Sequence, residues 1–305
     1  MKESAPIAHQ PIMKDEVVAH LVTNRSGIYL DCTVGFGGHA NEIIKKLNDD
    51  GRLIGLDCDP DAFSYCIEKF HKMNHKIKIF KSNYSDYDKI LNKLKISQID
   101  GALIDLGISS YQIDEPGRGF SYRYDAPLDM RFDTNYKLKA SDVLNTYSKE
   151  KLSLVIKNYG EERNYRNIAR SISIYSKKGL MNTTYDLKDA VKKAGYRGSL
   201  TKVLSRVFQS IRIEVNSEFE KIKSIIESLP NRIKIGGRLA FITFHSLEDR
   251  IVKRALLEMD GKSIEDIYGK RKIKIMNKKV IKPSREEVLS NRRSRSAKLR
   301  VVGIV

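Results

Sequence analysis

Short apolar runs alternate with amphipathic segments over the first third of the chain. The apolar runs have the length of β-strands, and the segments between them have the spacing of helices. We expect strands at Ile28–Thr33, Arg52–Asp57, Ile77–Phe80 and Ile99–Leu106, and helices at Lys14–Thr23, His39–Asn48, Ala62–Lys72 and Tyr87–Leu94. Because parallel neighbouring strands need crossovers of this length, the pattern predicts a doubly wound, Rossmann-like α/β sheet.

The pattern changes after Leu106. Gly107–Arg131 contains many turn formers and no periodic element, and Ser141–Lys202 is almost wholly helical in its spacing. The α/β pattern then resumes with a helix at Glu214–Leu229, a Gly236-Gly237 turn, a strand at Arg238–Phe244 and two short strands near Lys272–Met276 and Leu299–Ile304. We therefore predict a discontinuous α/β domain, residues 1–136 and 209–305, interrupted by a helical insertion at residues 137–208.

A glycine-rich turn follows the first predicted strand. Gly35-Phe36-Gly37-Gly38-His39 lets backbone N–H groups approach a ligand, and Asp57, twenty residues after Gly37, is placed to bind ribose hydroxyls. The third glycine of the dinucleotide fingerprint is missing, and Asp31 beside the turn would repel a diphosphate. S-adenosylmethionine fits, because it has a ribose, an ammonium and a sulfonium but no phosphate. The turn alone is equally compatible with an ordinary strand–helix connection.

Polar side chains follow all the predicted strands of the parallel sheet. Ligands of open α/β sheets bind at the carboxyl ends of the strands, so these residues are expected to form one site. They are Asp31–Gly38, Asp57–Asp59, Asn83–Tyr84, Asp105–Ser110 and Phe244–Asp249.

The net charge of the 305-residue chain is +18, and it is unevenly placed. Thirteen Lys or Arg residues stand against two acids between Lys270 and Arg300, which indicates a polyanionic partner. No apolar run approaches the length of a membrane span, and the first residues do not resemble a signal peptide. Three cysteines without a C-x-x-C pair favour a reducing, cytoplasmic setting, and we expect no metal site. Monomer and homodimer both remain open.

Six motifs occur in the order typical of one family. They are D-L-G-I-S-S-Y-Q-I-D (Asp105–Asp114), R-G-F-S-Y-R-Y-D-A-P-L-D-M-R (Arg118–Arg131), Y-G-E-E-R (Tyr159–Arg163), F-Q-S-I-R-I-E-V-N-S-E (Phe208–Glu218), F-H-S-L-E-D-R-I-V-K (Phe244–Lys253) and N-R-R-S-R-S-A-K-L-R (Asn291–Arg300). From His9 to Arg300 the chain resembles the bacterial family that methylates the N4 amino group of a cytosine in 16S ribosomal RNA, using S-adenosylmethionine.

The resemblance implies a Rossmann-like methyltransferase sheet with a helical insertion that recognises the substrate, either naked 16S ribosomal RNA or the assembled small subunit. It also implies a set of cofactor-binding residues, in which Tyr84 stands where the family usually has a phenylalanine beside the adenine. The set is Gly37, Gly38, His39, Asp57, Tyr84, Asp105 and Gln112. One segment departs from the family: Lys202–Arg206 keeps the arginine of the usual H-P-A-T-R but not the His-Pro pair.

Methyl transfer to cytosine N4 requires positioning more than a strong base. The amino lone pair is delocalised into the ring, so the enzyme must align it with the methyl carbon and accept hydrogen bonds as positive charge develops. Asp105 and His245 are the candidate catalytic residues; Asp105 either holds the amino-acid part of the cofactor, touches the target amine, or does both. Glu248 and Asp249 are expected to stabilise the start of the following helix rather than to act in catalysis.

Other side chains have a functional and a structural interpretation. The aromatic residues Tyr111, Phe120, Tyr122 and Tyr124 would stack on a flipped-out base or serve in packing, and the arginines Arg118, Arg123 and Arg131 would meet phosphates or nearby aspartates. Two other functions are compatible with parts of the sequence. A dehydrogenase is disfavoured by the missing third glycine, and a basic RNA-binding protein with a non-catalytic nucleotide-binding fold is disfavoured by the dense polar strand ends.

Overall fold

The structure is a computed structural model that describes residues 11–266 and 269–305. The strands in these residues are β1 Ile28–Asp31, β2 Arg52–Asp57, β3 Ile77–Lys81, β4 Ile99–Asp105, β5 Ile233–Thr243, β6 Ser263–Asp266, β7 Gly269–Ile275 and β8 Lys298–Ile304. The α-helices are α1 Lys14–Leu21, α2 Gly38–Lys46, α3 Pro60–Phe70, α4 Tyr87–Lys93, α5 Ser110–Asp114, α6 Ala140–Thr146, α7 Lys149–Gly160, α8 Tyr165–Lys177, α9 Thr184–Lys193, α10 Leu200–Asn216, α11 Glu218–Ser228, α12 Ser246–Met259 and α13 Arg285–Ser290.

The chain divides into two compact units. The α/β unit comprises Met1–Gly107 and Phe219–Val305, and the helical unit comprises Ile108–Glu218. These bounds differ from the predicted insertion at residues 137–208, which encloses the helical periodicity of Ser141–Lys202. The apolar residues Phe120, Met130 and Val215 lie outside that interval but are buried in the core of the helical unit, which explains the wider bounds.

The α/β unit contains one sheet of eight strands in the order β3-β2-β1-β4-β5-β8-β7-β6. The first five strands are parallel, and β8, β7 and β6 continue the sheet antiparallel. The predicted doubly wound α/β sheet is therefore confirmed. The strand order reverses between β1 and β4, which is the position where sheets of this kind open a crevice for a ligand.

Two predicted elements around residue 230 are corrected. The glycines Gly236 and Gly237 lie inside β5 and not in a turn. The register between β4 and β5 shifts between Ile99 and Gly101. A side chain does not fit at this irregularity, because a methyl group at Gly237 would lie 2.6 Å from the Asp100 carbonyl oxygen. The helix expected from residue 214 to 229 is two helices. Ser217, with a φ of 50°, ends α10, and α11 begins at the next residue.

The C-terminal region and the segment after β4 contain more structure than predicted. The two predicted tail strands correspond to β7 and β8, but β6 and α13 were missed, and α5 lies within the segment predicted to have no periodic element. These elements have four to six residues, too few for a period to show. None of the helices in the described residues is long and apolar enough to cross a membrane.

The helical unit has its own apolar core between α6, α7, α8, α9 and α10. Helices α7 and α10 approach closely, because a methyl group at Gly160 would lie only 2.7 Å from the Arg206 carbonyl oxygen. Next to this contact the buried Glu162 forms an ion pair with Arg206. Arg206, which is the arginine of the family's H-P-A-T-R segment that this chain keeps, therefore forms an ion pair with the Y-G-E-E-R motif within the helical unit.

Candidate functional site

Four carboxyl groups follow one another across the carboxyl edge of the parallel strands. Asp57 ends β2, Asp31 ends β1, Asp105 ends β4, and Glu248 lies in the first turn of the helix that follows β5. Asp31 and Glu248 are completely buried. We call these four residues the carboxylate row.

Burial and mutual repulsion disfavour the ionised forms of the carboxyl groups in the carboxylate row. Burial, with a smaller contribution from Asp57, raises the pKa of Asp31 to about 7, and burial raises the pKa of Asp57 to about 6. Burial, with the charges of Asp31 and Glu248, raises the pKa of Asp105 well above its ordinary value. Within residues 11–266 and 269–305, no Lys or Arg forms an ion pair with Asp31, Asp57 or Asp105. A cationic ligand would relieve this repulsion.

The glycine-rich turn is tied to the row through Asp57. Its Oδ2 accepts a 2.7 Å hydrogen bond from the Gly35 N–H, and its Oδ1 accepts one of 2.8 Å from the Asp59 N–H. Gly37 has a φ of 73°, and a methyl group there would lie 2.6 Å from the Phe70 ring. At Gly38 a methyl group would lie 3.2 Å from Pro11. The turn therefore requires glycine for its own conformation and packing.

His39 lies in the first turn of α2 and faces Asp105. Its Nε2 lies 3.7 Å from Asp105 Oδ2, and neither ring nitrogen has a hydrogen-bond partner in the described residues. Burial lowers the pKa of His39 to about 4, so the ring is neutral near pH 7. Asp105 is held by its backbone, whose N–H donates to Thr33 Oγ1 at 2.8 Å, and its buried Oδ1 has no partner among the described residues.

His245 is the N-cap of α12. Its Nδ1 accepts from the Glu248 N–H at 3.3 Å, so the ring proton lies on Nε2, which is 2.8 Å from Glu248 Oε1. Glu248 Oε2 in turn accepts from the N–H groups of Phe244 and His245, at 3.0 and 3.3 Å. The sequence indicated a helix start here. It did not indicate that Glu248 would be completely buried beside the other carboxyl groups.

The remaining predicted site residues lie in two places. Tyr84 begins a short turn after β3, at the same edge of the sheet, and is half-buried. Gln112 belongs to the helical unit, where its Oε1 accepts from the Ser109 N–H at 3.1 Å and its own N–H donates to Ser109 Oγ at 3.2 Å. The α/β unit therefore brings together Gly37, Gly38, His39, Asp57 and Asp105, with Tyr84 after the neighbouring strand.

The arginines after β4 have mainly structural contacts. Arg131 forms a two-pronged ion pair with Asp129, with N–O distances of 2.8 and 2.7 Å, and Arg118 donates to the carbonyl oxygens of Arg131 and Phe132. Among the aromatic candidates, Phe120 is buried in the helical core and Tyr124 is 43% exposed. Among the candidate arginine and aromatic residues, Arg123 and Tyr124 are exposed to solvent. Tyr111 and Tyr122 are half-buried.

The basic C-terminal region contains both cations with partners inside the protein and cations that are exposed to solvent. Arg271 is 1% exposed and donates to the Ile233 carbonyl oxygen, and Lys298 and Arg300 both pair with Asp249 at 2.8 Å. In contrast, Lys270, Lys272 and Lys274 alternate along β7 with inward-facing residues and are exposed. We call these three residues the lysine strand.

A second basic surface was not predicted. A surface groove of about 510 Å³ in the helical unit is lined by Arg170, Lys178 and Lys193, together with Tyr175 and the exposed apolar residues Ile174 and Leu180, and no acid lines it. The sequence carried a signal: residues 163–202 hold ten Lys or Arg residues against two acids. We call the six lining residues named above the basic groove.

The amino-acid sequence is similar to those of known proteins over nearly its whole length. The model of the MraW methylase family matches residues 6–305. "Ribosomal RNA small subunit methyltransferase H" of Caldicellulosiruptor saccharolyticus is 46% identical over 303 residues, which cover 96% of this chain and 98% of the relative. The protein of the same name in Fusobacterium nucleatum subsp. nucleatum is 42% identical over 301 residues, 96% of each chain. The chain with the carboxylate row and the glycine-rich turn therefore belongs to the MraW methylase family.

Proposed function

We propose that the protein transfers a methyl group from S-adenosylmethionine to the exocyclic N4 amino group of a cytosine in the 16S ribosomal RNA of the small subunit. As a member of its family it is an S-adenosylmethionine-dependent methyltransferase. The observation that carries the site assignment is the carboxylate row, because the buried Asp31 and the half-buried Asp57 and Asp105 have raised pKa values and no Lys or Arg ion pair within the described residues. The acceptor rests on the motifs between Asp105 and Arg131 and on the names of the relatives.

The residues around the glycine-rich turn fit the cofactor. Each carboxylate oxygen of Asp57 already accepts one backbone hydrogen bond and keeps capacity for a ribose hydroxyl. Asp31 and Asp105 flank the point where the strand order reverses and would face the ammonium and sulfonium groups. Tyr84, at the neighbouring strand end, would stack on the adenine. Bound there, S-adenosylmethionine would supply an activated methyl group.

Asp105 is the candidate that acts on the acceptor. Its buried Oδ1 would accept a hydrogen bond from the N4 amino group, which aligns the nitrogen and stabilises the positive charge that develops on it. Methylation leaves this nitrogen with one proton too many, and a carboxylate with a raised pKa is suited to accept it. The neutral His39 beside Asp105 does not offset its negative charge.

The two basic surfaces are proposed to bind the RNA. The basic groove combines three cationic side chains with Tyr175, a combination suited to phosphates and an unstacked base. The lysine strand adds three exposed charges on β7. The helical unit would thus recognise the substrate, as the resemblance implies for the insertion. A ribosomal RNA substrate would place the activity in the cytoplasm.

Methyl transfer from labelled S-adenosylmethionine to purified small ribosomal subunits tests this proposal. We expect N4-methylcytidine in hydrolysed 16S ribosomal RNA, and much less label with the Asp57→Ala variant at the same low concentration of S-adenosylmethionine. Binding of RNA without any transfer would instead support the non-catalytic alternative. Label in a different nucleoside would contradict the assigned acceptor while leaving the cofactor site intact.

A further inference from the structure

Glu248 has an environment that helix capping alone does not require. A capping glutamate in the first turn of a helix is ordinarily solvated on one side, whereas Glu248 is completely buried. The backbone N–H groups of Phe244 and His245 hold its Oε2 and fix the orientation of the carboxyl group. Burying an ionisable group in this way is costly, so its position beside the other carboxyl groups calls for a functional explanation.

The carboxyl group is directed towards the end of β4. Asp105 pairs with Ile242 in the sheet, two residues before Phe244, so the two strand ends lie side by side. A methyl group built on Gly107, two residues after Asp105, would lie 3.6 Å from Glu248 Oε1 and 3.5 Å from the Phe244 ring. Glu248 therefore lies under the turn in which Asp105 ends its strand.

The groups that face Asp105 are mostly acidic. Asp31 approaches from β1, Glu248 from α12, and the neutral His39 from α2, with Nε2 at 3.7 Å. His245, which caps the helix that contains Glu248, has its Nε2 2.8 Å from Glu248 Oε1. Once a cationic ligand neutralises Asp31, Glu248 is the remaining negative charge beside Asp105.

We propose that Glu248 is a positioning residue of the methyl-transfer site: its buried charge keeps Asp105 basic enough to accept the proton that the methylated amine releases. This inference rests on the proposed function. In the reaction the N4 lone pair forms the N–CH₃ bond, the S–CH₃ bond breaks, and its electron pair stays on sulfur as a neutral thioether. The amine nitrogen, now positively charged, passes one proton to Asp105, from which it leaves to solvent.

The Glu248→Gln variant removes the ionisable carboxyl group at residue 248 but keeps the hydrogen bonds at the start of the helix. The amide oxygen of Gln still accepts hydrogen bonds from the Phe244 and His245 N–H groups, so the start of the helix is preserved. Glu248→Asp keeps the charge but shortens the side chain. Asp249→Asn is the matched control, because Asp249 is the next residue and is also buried, but it pairs with Lys298 and Arg300.

The first measurement is the titration of Asp105 by ¹³C NMR of labelled aspartate carboxyl groups, assigned by its loss in Asp105→Asn. In Glu248→Gln the Asp105 pKa should fall by about one unit or more, since a neighbouring buried charge has been removed. Glu248→Asp should keep most of the raised value, and Asp249→Asn should not change it. An unchanged titration in Glu248→Gln, or equal falls in the Gln and Asp variants, overturns the proposal.

The second measurement is single-turnover methyl transfer to small subunits as a function of pH. The acidic limb should shift to lower pH in Glu248→Gln by the same amount as the NMR titration, while the plateau rate falls roughly 3- to 10-fold because Asp105 is a weaker base. A lower plateau with an unshifted limb refutes the proposed action through Asp105. Absence of transfer by the wild-type protein would refute the proposed function, and the NMR titration would still decide whether Glu248 controls Asp105.

Discussion

The carboxylate row and the basic groove are opposites in charge and in exposure. The row consists of acids at the ends of neighbouring strands in a protein whose net charge is +18, and burial raises the pKa values of three of them. The groove consists of exposed cations on two helices, with no acid among the residues that line it. Buried charges change their protonation to reduce repulsion, whereas exposed charges are screened by salt.

This difference teaches what net charge does and does not reveal. The excess of Lys and Arg describes the surfaces proposed to meet a polyanion, while the site proposed for a cationic cofactor contributes few residues to the total. The two regions should therefore respond to different variables. Cofactor binding should depend strongly on pH, and RNA binding should depend strongly on salt.

The largest expected effect is on the cofactor, from the Asp57→Ala variant. Two hydrogen bonds from ribose hydroxyls to a carboxylate would be lost, about 3 kcal/mol together, so the affinity for S-adenosylmethionine should fall about 100-fold. Isothermal titration calorimetry measures this. The Asp100→Asn variant is the control: Asp100 is a buried acid at the amino end of β4, where it pairs with Lys234. It should lower the melting temperature without weakening binding, and equal losses of affinity in both variants would contradict the assignment.

A smaller effect is expected from pH. If Asp31, with a pKa of about 7 in the free protein, must be ionised to hold a cationic group, the affinity for S-adenosylmethionine should fall about thirtyfold from pH 8 to pH 5.5. Protonation of Asp57, with a pKa of about 6, adds to the loss at the lower end. Calorimetry across this range measures the decline, and Asp31→Asn should bind weakly with a flatter profile. An affinity that does not change with pH in the wild-type protein would exclude the row as the cation site.

The same pKa values determine how the stability of the cofactor-free protein depends on pH. The folded state binds a proton at Asp31 more tightly than the unfolded state does, so this contribution to the free energy of unfolding is present below about pH 4 and is lost as pH rises through about 7. The melting temperature of the free protein should therefore be lowered by this term at neutral pH, and S-adenosylmethionine should restore it. Asp31→Asn should remove the term, which thermal unfolding at several pH values would measure.

The sequence predicted the elements of the cofactor site better than its electrostatics. Asp57 ends β2 as expected, because a polar residue at the end of an apolar run marks a strand end. Burial of Glu248 could not be predicted, because it results from the packing of α12 beside the sheet and a glutamate near a helix start is ordinarily exposed. The helical unit is wider than the predicted insertion for a related reason: Phe120 and Met130 lie in an aperiodic segment but pack into a helical core.

The sequence indicated only one of the two basic surfaces that are proposed to bind RNA. The cluster of charges in the C-terminal region was visible in the sequence, but Arg271, Lys298 and Arg300 turn out to have partners within the α/β unit. The basic groove depends on side chains from two helices and the following loops, and spacing along the chain does not show that Arg170 and Lys193 line one groove. Convergence of charges in space requires the tertiary structure.

The smallest expected effect concerns RNA, because each exposed cation contributes little once salt screens it. Neutralising the groove with Arg170→Gln, Lys178→Gln and Lys193→Gln should weaken binding of a 16S ribosomal RNA fragment roughly fivefold to tenfold at physiological salt and reduce the slope of log K against log salt by about 2. Neutralising the lysine strand should act in the same direction. The matched control, Lys298→Gln with Arg300→Gln, removes charges that Asp249 already balances, so the melting temperature should fall while the salt slope stays nearly constant. If the control pair reduces the salt slope of RNA binding as much as the groove variant does, net charge and not the exposed surface governs RNA binding. The affinity for S-adenosylmethionine should be the same in all of these variants.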